Sequence, residues 1–124
     1  MGMIVKECTV SGERGSGTVR VLYDTGAGSS FVRRDVAENL GNIVRTMRPI
    51  TFTMADGRGT IIAEEDVRLY IDVGGDPLMY HFFVADGLAE ELVIGADMMQ
   101  RFKISLDMAN ELVSVDPRAL YLRA

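Results

Sequence analysis

The tightest constraint on this chain is an eight-residue alternation in which Val67, Leu69, Ile71 and Val73 interleave with Asp66, Arg68, Tyr70 and Asp72. Side chains that repeat every two residues are sorted to opposite faces by an extended strand with one buried side. Gly74-Gly75-Asp76-Pro77 breaks the pattern and a second strand-like run follows at Leu78–Ala85, so residues 66–85 predict an antiparallel pair. Shorter apolar runs predict further strands at Ile4–Val10, Gly17–Tyr23, Ile50–Met54, Thr60–Ala63, Leu92–Ile94, Ile104–Leu106 and Leu112–Val115.

Helical signals are few. Arg33–Leu40 sets Val36 and Leu40 one turn apart, offers an Arg34–Glu38 pair and is followed by Gly41 as a stop. Ala96–Phe102 sets Met98 and Phe102 one turn apart, with Asp97 near the positive helix end. The expectation is a mostly β chain with two short helices, organised as a single domain over 1–124. A faint internal echo accompanies it: Val19–Tyr23 runs into Asp24-Thr25-Gly26 and a helix, and Leu92–Ile94 runs into Gly95-Ala96-Asp97 and a helix. Two such units suggest an internal pseudo-twofold.

Composition removes several function classes. A net charge of −5 argues against nucleic acid as a partner, because phosphate binding needs a cationic face. The basic residues Arg33, Arg34, Arg45 and Arg48 read as solvated surface positions. One cysteine, Cys8, and one histidine, His81, leave no material for a Cys/His metal site or a Cys–His nucleophile pair, so neither metal nor cofactor is expected. The lone cysteine fits a reducing compartment, and the sequence has no apolar stretch of signal-peptide or membrane-spanning length. With Lys6 where myristoylation wants Ser or Thr, the chain is expected to be soluble and cytoplasmic, with no membrane partner.

Chemistry concentrates in Val19–Val32, where an apolar strand delivers Asp24 into the small residues Thr25-Gly26-Ala27-Gly28. In such a turn, backbone N–H groups and the Thr25 hydroxyl can hold a carboxylate in one orientation, as a catalytic acid or base requires. An ordinary strand-to-helix turn has the same local composition, so Asp-Thr-Gly alone does not decide between the two. Gly26-Ala27-Gly28 is no dinucleotide fingerprint, since the third glycine is missing and no βαβ pattern follows. The Gly-Lys-Ser/Thr of a phosphate loop is also missing. His81 reads as a strand-face residue, Asp86-Gly87 as a turn, Asp97 as a helix cap and the eight methionines as core filling.

Three segments taken together carry a resemblance. Val21-Leu22-Tyr23-Asp24-Thr25-Gly26-Ala27 resembles the active-site signature of the retropepsin-like (retroviral-type) aspartic peptidases. Leu92-Val93-Ile94-Gly95 resembles that family's second signature, an apolar pair before Gly and a short helix. Between them, Phe52–Ile62 with its Asp56-Gly57 tip looks like the family's flap hairpin, although the charged Asp56 and Arg58 depart from the usual pattern. The resemblance covers roughly residues 17–107.

It implies a closed, retropepsin-like acid-protease β-barrel with one or two short helices, working as a homodimer. One Asp-Thr-Gly in 124 residues supplies one carboxylate where the chemistry uses two, so a second copy would place its own Asp24 opposite the first. The pair would share one proton, activate a water and hydrolyse a peptide bond, favoured by acidic to mildly acidic conditions. By the same resemblance Thr25 would lock the two loops, and Gly26 and Ala27 would lend backbone groups to the substrate. Ala55, Asp56, Gly57 and Arg58 of each flap would close over an extended peptide or unfolded protein, while Leu112–Val115 would help hold the dimer. The alternative is a retropepsin-fold peptide-binding or dimerisation module with little or no proteolytic activity. A domain cut from a longer polypeptide is a third option.

Overall fold

The alternation at 66–73 is the inner half of a long strand. The computed structural model describes residues 2–53 and 59–120, and within them the second strand of the central hairpin runs from Thr60 to Val73. Ala63, Val67, Leu69, Ile71 and Val73 are buried along it, while Glu64, Arg68, Tyr70 and Asp72 face solvent. In chain order the elements are β1 (Met3–Gly12), β2 (Gly15–Asp24), β3 (Phe31–Arg33), α1 (Arg34–Leu40), β4 (Ile43–Thr53), β5 (Thr60–Val73), β6 (Asp76–Ala85), β7 (Leu92–Ile94), α2 (Ala96–Arg101), β8 (Ile104–Asp107) and β9 (Leu112–Val115). A single 3-10 turn follows at Pro117–Leu120.

Seven strands form one sheet in the order β1-β2-β7-β3-β6-β5-β4. A further pairing of β1 with β5, Val10 opposite Ile71, closes the first six into a barrel and leaves β4 outside on the edge of β5. Closure removes two exposed edges that would otherwise offer free N–H and C=O groups. Val10, Val21, Tyr23, Val32, Leu69, Ile71, Phe82, Leu92 and Ile94 fill the core. Each such side chain contributes about 1.5–3 kcal/mol on burial. Tyr23 is fully enclosed with its hydroxyl 3.7 Å from the Cys8 thiol, and burial pushes the ionisation of both upward, that of Tyr23 strongly. Among the described residues no helix is long and apolar enough to cross a membrane.

Several expectations are revised. Gly74 and Gly75 make the predicted turn, both with positive φ, but β6 starts at Asp76 and takes Pro77 into the strand. The strand expected from Ile50 begins at Ile43, with its register broken between Arg45 and Ile50. Pro49 lies in that irregular stretch, where an edge strand tolerates a residue with no N–H. Gly41 does follow α1, yet in extended rather than left-handed conformation. It is needed for closeness instead, since a Cβ there would stand 2.4 Å from the Val67 side chain. Arg34 reaches away from Glu38, to Glu65 at 2.7 Å and to Asp86. Of the described methionines only Met98 and Met99 are buried, while Met3, Met47, Met79 and Met108 are exposed, so core filling accounts for two of them. His81 is an exposed strand residue opposite Arg68, and Asp86-Gly87 is a turn.

Candidate active site

The sequence echo becomes a physical pair. β2 and β7 lie side by side and parallel, with Val21 opposite Leu92, Leu22 opposite Val93 and Tyr23 opposite Ile94. Asp24 and Gly95 therefore leave the barrel together. The second unit enters α2 directly, whereas the first inserts β3 before α1.

Asp24 ends β2, half-buried, and accepts a hydrogen bond at Oδ1 from the Gly26 N–H at 2.8 Å. The Ala27 N–H closes the turn on the Asp24 carbonyl at 3.2 Å. Bonding of this kind fixes the plane of the carboxylate. The Thr25 hydroxyl, expected to help hold that carboxylate, turns elsewhere. It accepts from the Gly2 N–H at 2.8 Å and donates to the Gly2 carbonyl at 3.2 Å, while the Thr25 N–H donates to the same carbonyl.

The loop is braced from beneath by a network joining residues 67 positions apart. Ser30, with no exposed surface, donates its hydroxyl to Asp97 Oδ1 at 2.7 Å and accepts the Gly95 N–H at 2.9 Å. Its N–H donates to Asp97 Oδ2 at 3.3 Å. Asp97 therefore does more than complement the helix end, because it ties α2 to the Asp24 loop. Ala96 N–H donates to the Ala27 carbonyl at 2.7 Å. The packing is tight enough that a Cβ on Gly95 would lie 2.4 Å from the Ser29 carbonyl oxygen and 2.7 Å from that of Ala27. Both backbone groups of Ala27 are engaged, whereas the Gly26 carbonyl accepts no hydrogen bond from the described residues.

Asp24, Gly26 and Ala27 open onto a cleft of about 490 Å³. Its walls are apolar and drawn from Leu22, Phe31, Phe52, Ile61, Leu88 and Val93. Phe52 packs edge-on to Phe31 with ring centroids 5.0 Å apart and lies 4.9 Å from Phe83, so β4 is stapled over β3 and β6 by aromatic contacts. The arms of the expected flap are present, pairing to Thr53 opposite Thr60. Its tip residues Ala55, Asp56, Gly57 and Arg58 lie outside the described residues. On the far side of the loop, Gly2, Thr25, Met99, Gln100 and Met108 border a shallower hollow of about 690 Å³.

Sequence reasoning found Asp24, Thr25, Gly26 and Ala27 as one segment; the fold brings Asp24, Gly26 and Ala27 to the cleft and turns Thr25 to the neighbouring hollow. It missed the Ser30–Asp97 brace, the aromatic staple and the cleft residue Glu90. Only the small residues after Asp24 and the acid after Gly95 hinted at the brace.

A closed six-strand barrel that carries Asp-Thr-Gly at a cleft is the architecture of acid proteases built from small subunits, and comparison agrees. Residues 8–101 match the family described as "gag-polyprotein putative aspartyl protease". The chain is 33% identical over 91 residues to DNA damage-inducible protein 1 of Phaeosphaeria nodorum, covering 73% of this chain and 20% of that protein. It thus spans about one fifth of the curated relative it matches. In fold it is similar to the retroviral protease-like domain of Ddi1 from Leishmania major, with a TM-score of 0.72, 22% identity and coverage of 94% of this chain and 90% of that one. It is also similar to the EIAV protease complexed with the inhibitor HBY-793, with a TM-score of 0.58, 19% identity and coverage of 80% and 86%. The chain belongs to this retropepsin-like family of aspartyl proteases.

Proposed function

We propose that the protein is an aspartic endopeptidase whose active site forms between two copies, each contributing Asp24. The observation that carries the proposal is the Asp24 carboxylate, oriented by the Gly26 N–H at the mouth of an apolar cleft. One such carboxylate is half of the required chemistry. Two facing carboxylates sharing a proton would let the ionised one take a proton from water as it attacks the peptide carbonyl. The protonated one would hydrogen-bond the carbonyl oxygen and later pass its proton to the leaving amine.

The remaining roles follow from what each group has free. The open Gly26 carbonyl is placed to accept a substrate N–H, and the Ala27 methyl lines the cleft. The β4–β5 hairpin, with Ala55–Arg58 at its tip, would cover an extended peptide. The hollow beside Thr25, bordered by the exposed Met108, is the face we assign to the second subunit, with β9 contributing to the same contact.

One observation favours the second reading, a peptide-binding or dimerisation module with little turnover. The Thr25 hydroxyl is engaged within its own chain by Gly2, so a Thr25 lock between subunits would have to exchange those bonds. The discriminating experiment is cleavage of an unfolded protein or a peptide library by the wild type and by Asp24→Asn. Endopeptidase activity that falls at least about a thousandfold in a folded Asp24→Asn variant supports hydrolysis at Asp24. Activity unchanged by the substitution would defeat it, and peptide binding with no turnover in the wild type would favour the module.

A further inference from the structure

We propose that Glu90 sets the charge preference of the cleft, selecting extended peptides that carry a lysine or arginine beside the bond presented to Asp24. The inference rests on the peptidase reading only for where the peptide lies.

Among the described residues that line the cleft, Asp24 and Glu90 are the charged ones, and neither is cationic. Glu90 stands in a segment held rigidly on both sides of it. The Arg33 guanidinium donates to the Ala89 carbonyl at 3.2 Å, the Arg33 N–H donates to the Glu91 carbonyl at 2.9 Å, and the Glu91 carboxylate accepts the Arg20 N–H at 3.0 Å. The neighbours are thus spent on structure, while the Glu90 carboxylate takes no hydrogen bond or ion pair from the described residues. Its nearby cations leave it available. Arg33 is committed to Asp35 by bonds of 2.7 and 3.0 Å, and Arg20, which borders a groove on the outer side of Glu90, forms no ion pair with it.

Fixing the main chain of this segment spares that part of the ordering cost, so taking a partner costs only the rotamer freedom of the exposed Glu90 side chain. The adjoining wall also suits a basic side chain. Leu22, Leu88 and Val93 offer apolar surface for the methylene stem of Lys or Arg, with the charged head left at the partly solvated rim where Glu90 stands. An acidic side chain in the same place would face both Glu90 and the charge of the Asp24 site. Because each subunit of a dimer brings its own Glu90, the preference should act on both sides of the scissile bond.

The test uses one cleaved peptide remade with Lys, Gln or Glu at each position flanking its scissile bond. For the wild type, kcat/KM should favour Lys over Glu by roughly tenfold, the scale of one partly solvated ion pair plus one avoided repulsion, and the ratio should shrink as salt is raised. Glu90→Gln should bring the ratio to within about twofold, and Glu90→Lys should reverse it. The same peptides are titrated in parallel against Asp24→Asn protein. Equal kcat/KM across the wild-type series, or a preference that survives Glu90→Gln, would overturn the inference. If no peptide is cleaved but the Lys peptide binds more tightly than the Glu peptide in a Glu90-dependent way, hydrolysis fails and the charge preference stands. If nothing is cleaved and nothing binds, both fall.

Discussion

Asp24 is oriented by Gly26, and the loop that carries both is tied to the start of α2 by Ser30. The buried Ser30 hydroxyl is donor to Asp97 and acceptor from Gly95 at once, so it fixes the Asp24 loop against the start of α2. Ser30→Ala would leave a carboxylate oxygen and a backbone N–H short of a partner in a part-buried site. We expect a loss of about 2 kcal/mol in denaturant unfolding. We also expect a drop in kcat/KM beyond what the unfolded fraction explains, because the Asp24 turn loosens. Gly95→Ala tests the same contact by volume. Its methyl would stand 2.4 Å from the Ser29 carbonyl oxygen, backbone that cannot swing aside, so the loop must shift at a cost of about 3 kcal/mol. A variant as stable and as active as the wild type would show that the loop is not braced there.

At the scale of elements, Arg34 joins three pieces: the first turn of α1, β5 through Glu65 and the β6–β7 turn through Asp86. The guanidinium holds the Asp86 carboxyl below the usual carboxylate range. A carboxyl depressed in the folded state contributes stability above its unfolded pKa, and that contribution is lost as pH falls through the lower, folded value. Asp86 is 73% exposed, so solvent screening keeps its contribution small. Arg34→Gln should cost about 1 kcal/mol near neutral pH. The gap in Tm between variant and wild type should narrow below roughly pH 4, where carboxylates protonate. A gap constant from pH 3 to 7 would assign the loss to packing of the Arg34 stem.

The same scale explains which elements were legible beforehand. β5 and β6 announced themselves because one face is dry and the other wet, which writes a period of two into the residues. β3 and β7 are three residues each and buried on both faces. β7 was found by its apolar run, whereas β3 was missed, with Phe31 and Val32 assigned to no element and Arg33 taken into the helix that follows. The first half of β4 mixes Ile43, Val44 and Met47 with Arg45, Thr46 and Arg48 and runs into Pro49, and its strand character comes from pairing with β5, which local sequence does not record. Asp24-Thr25-Gly26 could be read because orienting a carboxylate with turn N–H groups demands neighbours in sequence. Ser30–Asp97 and the isolation of Glu90 depend on partners brought by the fold from distant positions.

For the whole molecule, the barrel closes through β1 and β5 within one chain, whereas the proposed chemistry calls for a second Asp24. Asp24 and Thr25 lie between two hollows, one an apolar cleft fit for peptide and the other the face assigned to a partner. The Gly2 bonds to Thr25 sit on that second face. In the proposed dimer, a copy that docks there would have to exchange them.

The central claim is that the catalytic unit needs Asp24 twice. Wild-type and Asp24→Asn chains, refolded together in varying proportion at constant total concentration, test it directly. With random pairing and a dyad that requires both carboxylates, cleavage should fall as the square of the wild-type fraction, leaving about one quarter at equal proportions. A linear fall, with about half the cleavage remaining in the equal mixture, would mean that each chain works with its own Asp24 alone.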